Sequence, residues 1–185
     1  NLGFRFRTAV SQAAAVALLL LLWPLILVMP PLLKTFRRGP AIFKKQAVRL
    51  PTQSDNAFWQ TFNFLSFVPH DTTLVSKSDK SKHGGLRHFL LQFVPALLSI
   101  VRGNLHFVGV RPRSREEIET LDSDWQDLYL KSKAGIITEA YINYGDQPTE
   151  DEIYTSEVFY ASTGGLGHDF KLFFTYVRRM FSREG

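Results

Sequence analysis

The sequence predicts an α+β fold: a small monotopic membrane domain with an N-terminal re-entrant helix-break-helix, amphipathic interfacial helices and a few short strands. Three observations predict it. Residues 8–33, between Arg7 and Lys34, form a run of 26 without a charge, interrupted by Pro24. Eight basic side chains (Arg5, Arg7, Lys34, Arg37, Arg38, Lys44, Lys45, Arg49) and no acidic one fall in residues 1–50, which leaves fourteen basic and seventeen acidic in the rest. Beyond residue 40, short apolar runs with strand character alternate with stretches of helical spacing. At 185 residues, 45% of them hydrophobic, the chain has the length of one domain with a modest core. Collagen, disulfide scaffolds and disordered chains are excluded by composition. A nucleic-acid binder spreads basic residues over its folded body; here they gather at one end, so the partner they imply is a membrane surface.

The apolar run (Ala13-Ala-Ala-Val-Ala-Leu-Leu-Leu-Leu-Leu-Leu-Trp-Pro-Leu-Ile-Leu-Val-Met) is long enough to cross a hydrocarbon core of about 30 Å. Two features favour a hairpin instead. Basic residues flank both ends, and the positive-inside rule keeps both flanks cytoplasmic. Proline also breaks the helical ladder, so the chain is expected to turn at Trp23-Pro24. Each leg of roughly 12 residues rises about 18 Å, enough for one leaflet and too short for two. A spanning or signal-anchor helix kinked at Pro24 is the alternative. The expected division is therefore a membrane hairpin over residues 1–36 and a cytoplasmic domain over 37–185.

Gly39-Pro40 marks a turn before a short apolar and basic strand, and the aromatic stretch Phe58 to Phe67 reads as a strand or interfacial segment. Residues 74–85 are polar and loop-like. Leu86, Phe89, Leu90, Phe93, Val94, Leu97, Leu98 and Val101 recur at helical spacing, ended by Arg102-Gly103-Asn104. Leu105 to Val110 is a strand that runs into Arg111-Pro112-Arg113-Ser114-Arg115. Ser114 with Glu117 has capping-box spacing and opens a helix expected to continue toward Leu130. Lys133-Ala-Gly-Ile-Ile turns into a strand. Thr149 with Glu152 opens a second capped helix to Tyr160, and an aromatic-basic helix follows Gly164-Gly-Leu-Gly167.

Arg111, Arg113 and Arg115 straddle Pro112 after a strand, a pattern suited to bidentate phosphate binding; the alternative is a solvated cap paired with Glu116 and Glu117. The five histidines (70, 83, 88, 106 and 168) lack zinc-site spacing, and with no cysteine no structural metal is expected. Gly164 to Gly167 is too short and wrongly placed for a dinucleotide fingerprint.

Taken in order, these motifs resemble the bacterial sugar transferases, the monotopic phosphoglycosyl transferases, over nearly the whole chain. The basic-flanked hairpin is similar to their re-entrant helix. Arg38-Gly-Pro-Ala-Ile-Phe-Lys-Lys-Gln resembles their Gly-Pro-aromatic-basic-Gln segment, and Phe62-Asn-Phe-Leu-Ser-Phe their Tyr-Lys-Phe-Arg-Ser-Met strand. Val101-Arg-Gly-Asn-Leu-His-Phe-Val-Gly-Val-Arg-Pro resembles their Leu-Arg-Gly-Asp-Met-Ser-Leu-Val-Gly-Pro-Arg-Pro signature through Arg102, Gly103, Gly109, Arg111 and Pro112. Lys133-Ala-Gly-Ile is similar to their Lys-Pro-Gly-Ile turn, and Glu157 to Tyr160 with His168-Asp-Phe-Lys-Leu-Phe to their C-terminal block.

The resemblance implies transfer of a sugar phosphate from a nucleotide diphosphate sugar to undecaprenyl phosphate, in exopolysaccharide, capsule or O-antigen assembly. It also implies an Asp-Glu dyad, nucleophile and Mg²⁺ ligand, at positions that are here Gln92 and Phe93. An amide has no anionic oxygen to attack phosphorus, and a phenyl ring cannot bind a hard cation. Asn63, Leu65, Asn104 and Ala134 depart from the family pattern as well, whereas Arg111 and Pro112 persist. The expectation is a catalytically degenerate member that binds or regulates, with Mg²⁺ required only if it is active and no other cofactor. Expected partners are the bilayer, polyprenyl phosphate or a nucleotide sugar, and a second copy, an active paralogue or another glycan-assembly protein, at the cytoplasmic face of the bacterial inner membrane. Two alternatives remain: an active enzyme using Asp79, Asp146, Glu150 or Asp151, and a simple membrane-anchored interaction module.

Overall fold

The computed structural model describes residues 2–36, 40–68 and 84–181. Arg37, Arg38, His70, Asp79, His83 and the expected loop up to residue 83 lie outside them. Among the described residues the architecture is α+β, with two small sheets and helices packed around a main hydrophobic core and a smaller second cluster.

Helix α1 spans Leu2–Phe36 without interruption, Pro24, Pro30 and Pro31 included. Both legs expected on either side of Trp23-Pro24 are helical, and the helix is not ended at Pro24. A proline removes a single ladder bond, and the Ala- and Leu-rich flanks are strong enough helix formers to carry the helix past it. The helix lies along the body through a stripe at helical spacing. Gln12 Nε2 donates to the Val101 carbonyl at 3.2 Å, Ala15 is fully buried, and Leu18, Leu19 and Leu22 pack against the main core. Further along, Met29 and Leu33 pack against Phe67, Val68, Leu90 and Leu91. The opposite face, with Leu20, Leu21, Trp23, Leu27 and Val28, is exposed.

Strands β1 (Phe43–Val48) and β2 (Thr61–Ser66) form an antiparallel pair in which Lys45 faces Phe64 and Gln46 faces Asn63. The aromatic stretch is therefore strand, with a one-turn 3₁₀ helix (Asn56–Phe58) before it. Gly84 and Gly85 open helix α2 (Gly84–His88), which passes through a π turn (Phe89–Phe93) into α3 (Val94–Val101). The expected helix over 86–101 is present, with one bulge inserted. Gly103 closes it at φ +74°, a conformation that favours glycine, and a Cβ there would lie 2.7 Å from Gln12 Nε2.

Strand β3 (His106–Val108) pairs in parallel with β4 (Gly135–Ile137). Gly109 and Gly135 sit where the two chains approach most closely: a Cβ on either would come within 2.3 Å of backbone on the other. Helix α4 (Arg115–Glu119) carries the predicted Ser114–Glu117 capping box. It does not continue to Leu130, however: the chain breaks at Thr120 and restarts as α5 (Ser123–Lys131), with the Gln126 side chain donating to the Ile118 carbonyl across the break. Helix α6 (Glu139–Tyr144), opened by the Thr138 hydroxyl accepting from Tyr141 N, was not legible as a separate element. Helices α7 (Glu150–Thr163), with its Thr149–Glu152 box, and α8 (Leu166–Phe181) complete the fold.

Candidate functional site

The π turn delivers Gln92 and Phe93 to very different surroundings. Gln92 is half-buried, whereas Phe93 is 1% exposed. Its ring stacks on Phe89 at 5.3 Å and Phe107 at 5.7 Å and tilts against Tyr176 at 5.8 Å. One turn earlier His88 stacks on Tyr141 at 4.1 Å, and its Nδ1 lies 2.9 Å from the Tyr176 hydroxyl. Burial, with Lys45 acting in the same direction, pushes the His88 imidazole down to about 3, so it is neutral at physiological pH. Burial also raises the Tyr141 and Tyr176 hydroxyls far above the ordinary tyrosine range. Among the described residues the immediate neighbours of Phe93 are aromatic rings.

A Mg²⁺ ion does not fit these residues. An amide carbonyl and a phenyl ring supply no hard anionic ligand, and among the described residues no three His, Asp or Glu side chains cluster in a way that could hold a metal. Asp146, between α6 and α7, is coupled electrostatically to Tyr141 and Tyr176 and to Arg87 and Arg179. Glu150 and Asp151 lie in the first turn of α7.

The three arginines do not converge on one ligand. Arg113 is buried: its Nη1 donates to both Glu157 oxygens at 2.8 and 2.9 Å, and its guanidinium lies 4.9 Å from the ring centres of Trp125 and Tyr129. Glu157 accepts in addition from Trp125 Nε1 at 2.6 Å and from Arg111 N at 3.2 Å. The Tyr129 hydroxyl ties the strand end together, donating to the Arg111 carbonyl and accepting from Arg113 N. Arg113 is thus held through Nη1 by Glu157, while its Nη2 is buried with no hydrogen-bond partner among the described residues. Arg115 donates to the carbonyls of Asn56 and Trp59 and lies over the Trp59 ring, so it staples α4 to the 3₁₀ turn. Arg111 alone of the three has a half-exposed side chain, with Glu117 Oε1 at 3.9 Å, a loose pairing.

Of the other signature residues, Gly103 and Gly109 serve packing. Arg102 is an exposed helix terminus, Gly103 and Gly109 allow the close approaches described above, and Pro112 separates Arg111 from Arg113. Lys133 pairs with Asp169 Oδ2 at 2.5 Å, and Tyr160 donates to Oδ1 of the same carboxylate at 2.7 Å, joining the β4 turn to α7 and α8. His168 pairs with Glu139 at 2.7 Å, and His106 is buried. The Arg113–Glu157, Lys133–Asp169 and Glu139–His168 pairs join residues 44, 36 and 29 positions apart and left no trace in local spacing.

A sequence model described as bacterial sugar transferase matches residues 4–183. The exopolysaccharide production protein ExoY of Sinorhizobium fredii (strain NBRC 101917 / NGR234) is 35% identical over 78 residues, which is 42% of this chain and 30% of that protein. The match thus spans less than a third of the length of this curated relative.

Proposed function

The chain belongs to the bacterial sugar transferase family, and we propose that it is a monotopic membrane member serving exopolysaccharide assembly whose phosphoglycosyl transfer step is lost. In this reading it acts as a binding or regulatory partner of an active glycan-assembly protein. The observation that carries the reading is Phe93, 1% exposed inside an aromatic stack at the position where the family's dyad would need a wet, charged cavity. Loss of nucleophile and metal ligand leaves Arg111 as the retained cation for a phosphate, of polyprenyl phosphate or of a nucleotide sugar.

Membrane attachment falls to α1, whose residues Thr8–Thr35 are long and apolar enough to cross a bilayer. Insertion in one leaflet with both ends cytoplasmic is supported by the packing stripe. Contacts with the body run from Gln12 to Leu33, about 32 Å of helix, so a spanning α1 would draw β2 and α3 through the hydrocarbon with it. Residues 37–185 then form the cytoplasmic body. The chain has no cysteine, so single cysteines at Asn1 and Thr52 report topology cleanly; labels on opposite faces would refute the one-leaflet arrangement.

Activity is tested with purified protein, Mg²⁺, a panel of nucleotide diphosphate sugars and undecaprenyl phosphate, scoring nucleoside monophosphate release. No release above background is expected. Turnover abolished by Asp146→Asn would instead establish a second reading, an active enzyme with a displaced nucleophile, which the coupling of Asp146 to Tyr141 and Tyr176 favours.

A further inference from the structure

The phosphate site that Arg111 begins has no second exposed cation in the arginine run: Arg113 is buried with Nη1 on Glu157, and Arg115 is bound to the Asn56 and Trp59 carbonyls. The neighbouring strand supplies one. In β1 the outer face carries Lys44 and Gln46, both exposed, opposite Leu65 and Asn63 of β2. Lys45 lies on the other face, shared with Ala47 and Phe64, which are 0% and 9% exposed. Two family-basic positions, Asn63 and Leu65, therefore sit on the side of the hairpin away from Lys45. At the end of β1, Val48 N donates to the Arg113 carbonyl at 2.9 Å, which lays the strand against the Arg111 to Arg113 segment.

Lys45 lies three residues before Val48 on the inner face of that strand, and Arg111, Glu117 and His88 are all within electrostatic reach of its ammonium. Burial holds Lys45 below the ordinary lysine range, Arg111 adds to the effect and Glu117 opposes it. Glu117 is only partly available to either cation, since its Oε2 accepts from Ser114 N at 2.7 Å in the α4 capping box. Two cations thus share one engaged carboxylate. Among the described residues Lys45 makes no hydrogen bond or ion pair of its own. A half-buried ammonium in that state is stabilised by an anion that brings at least two oxygens.

We propose that Lys45 is the second cation of the phosphate site, so that a phosphate monoester or diphosphate is held between β1 and the turn after β3, beside the filled dyad position. The inference rests on the reading of Arg111 as a retained phosphate ligand. Its chemistry is shared by two sources, the lipid monoester and the nucleotide diphosphate.

The test uses the full chain in nanodiscs, titrated with undecaprenyl phosphate in one arm and UDP-glucose in the other, with affinity and ligand-induced melting shift as readouts. Lys45→Met and Arg111→Ala are each expected to weaken the bound probe by about ten- to a hundred-fold, the range of one lost charge-assisted hydrogen bond. Lys45→Arg should stay within about three-fold of the parent. Unliganded Lys45→Met should melt no lower than the parent, because it removes an unpaired half-buried charge. The arm that responds identifies the source. Lys45→Met binding like the parent while Arg111→Ala loses the probe would overturn the inference and leave the Arg111 reading standing; no loss in either variant, or no binding of either probe, would overturn both. A lowered melting point with affinity retained would make Lys45 a structural residue and likewise overturn the inference.

Discussion

Restoring the family dyad by Gln92→Asp with Phe93→Glu should cost the protein its fold before it yields catalysis, and almost all of the damage should come from position 93. Phe93 is 1% exposed and has rings on three sides at 5.3, 5.7 and 5.8 Å. Truncating a phenyl ring in such a site costs about 3–5 kcal/mol in lost transfer energy and residual cavity. A carboxyl placed there adds a desolvation penalty of about 1–3 kcal/mol even when it protonates to escape its charge. The sum, about 5 kcal/mol or more, is comparable with the whole stability of a typical domain, about 5–15 kcal/mol. At about 2–4 °C per kcal/mol for a chain of this size, the melting point should fall by about 10 °C or more. Gln92→Asp alone, at a half-buried position, should cost about 1 kcal/mol. Thermal melts of parent, both singles and the double variant in one detergent, followed by near-UV circular dichroism, make the comparison. A buried carboxyl with raised pKa also predicts a sign: the Phe93→Glu deficit shrinks toward pH 5, where the folded state binds the extra proton. A double variant that melts within about 3 °C of the parent, or that releases nucleoside monophosphate, would refute the claim that an apolar core occupies the dyad position.

Three further outcomes follow from the same contacts. Arg113→Met should destabilise by about 3–5 kcal/mol, since it leaves Glu157 buried without its cation, and adding Glu157→Gln should recover part of the loss in a chemical-denaturation series. Gly103→Ala should cost about 1–2 kcal/mol from its φ of +74° alone, and Gln12→Ala in the same chain should relieve only the added crowding of the new Cβ, which a double-mutant cycle separates. His88 is neutral when folded and titrates near 6.5 when unfolded, so its share of stability is full above about pH 6.5 and declines as pH falls toward 3. Between pH 7 and pH 5 that share drops by about 2 kcal/mol, and His88→Gln should flatten the melting profile over that interval by this amount.

Much of the framework was legible because it is written in short windows. Ser114 with Glu117 and Thr149 with Glu152 are reciprocal contacts spanning one helical turn, so spacing alone located both caps. The apolar periodicity from Leu86 to Val101 marked its helix for the same reason, though not the π turn within it, which reflects how the ends must meet the core. The break between α4 and α5 escaped because nothing at Thr120 to Asp122 forbids a helix; the chain turns there so that Ile118, Trp125 and Tyr129 can all be buried. The carboxylate that engages Arg113 escaped because it lies 44 residues away. Pro24, where the sequence placed the break, lies inside α1, because the loss of one backbone bond at a proline need not end a helix.

By itself the sequence determined which residues stand where the resemblance places the dyad. Gln92 and Phe93 lack an anionic oxygen in any conformation, and that is a property of side-chain composition. Only the tertiary structure decided what surrounds Phe93: an aromatic stack drawn from α2, the π turn, β3, α6 and α8, whose members lie up to 88 residues apart in His88 and Tyr176. It also decided which of three adjacent arginines keeps an exposed charge. Chemistry of that kind depends on which distant groups reach a side chain and how much water they exclude, and neither is encoded in the spacing of neighbours along the chain.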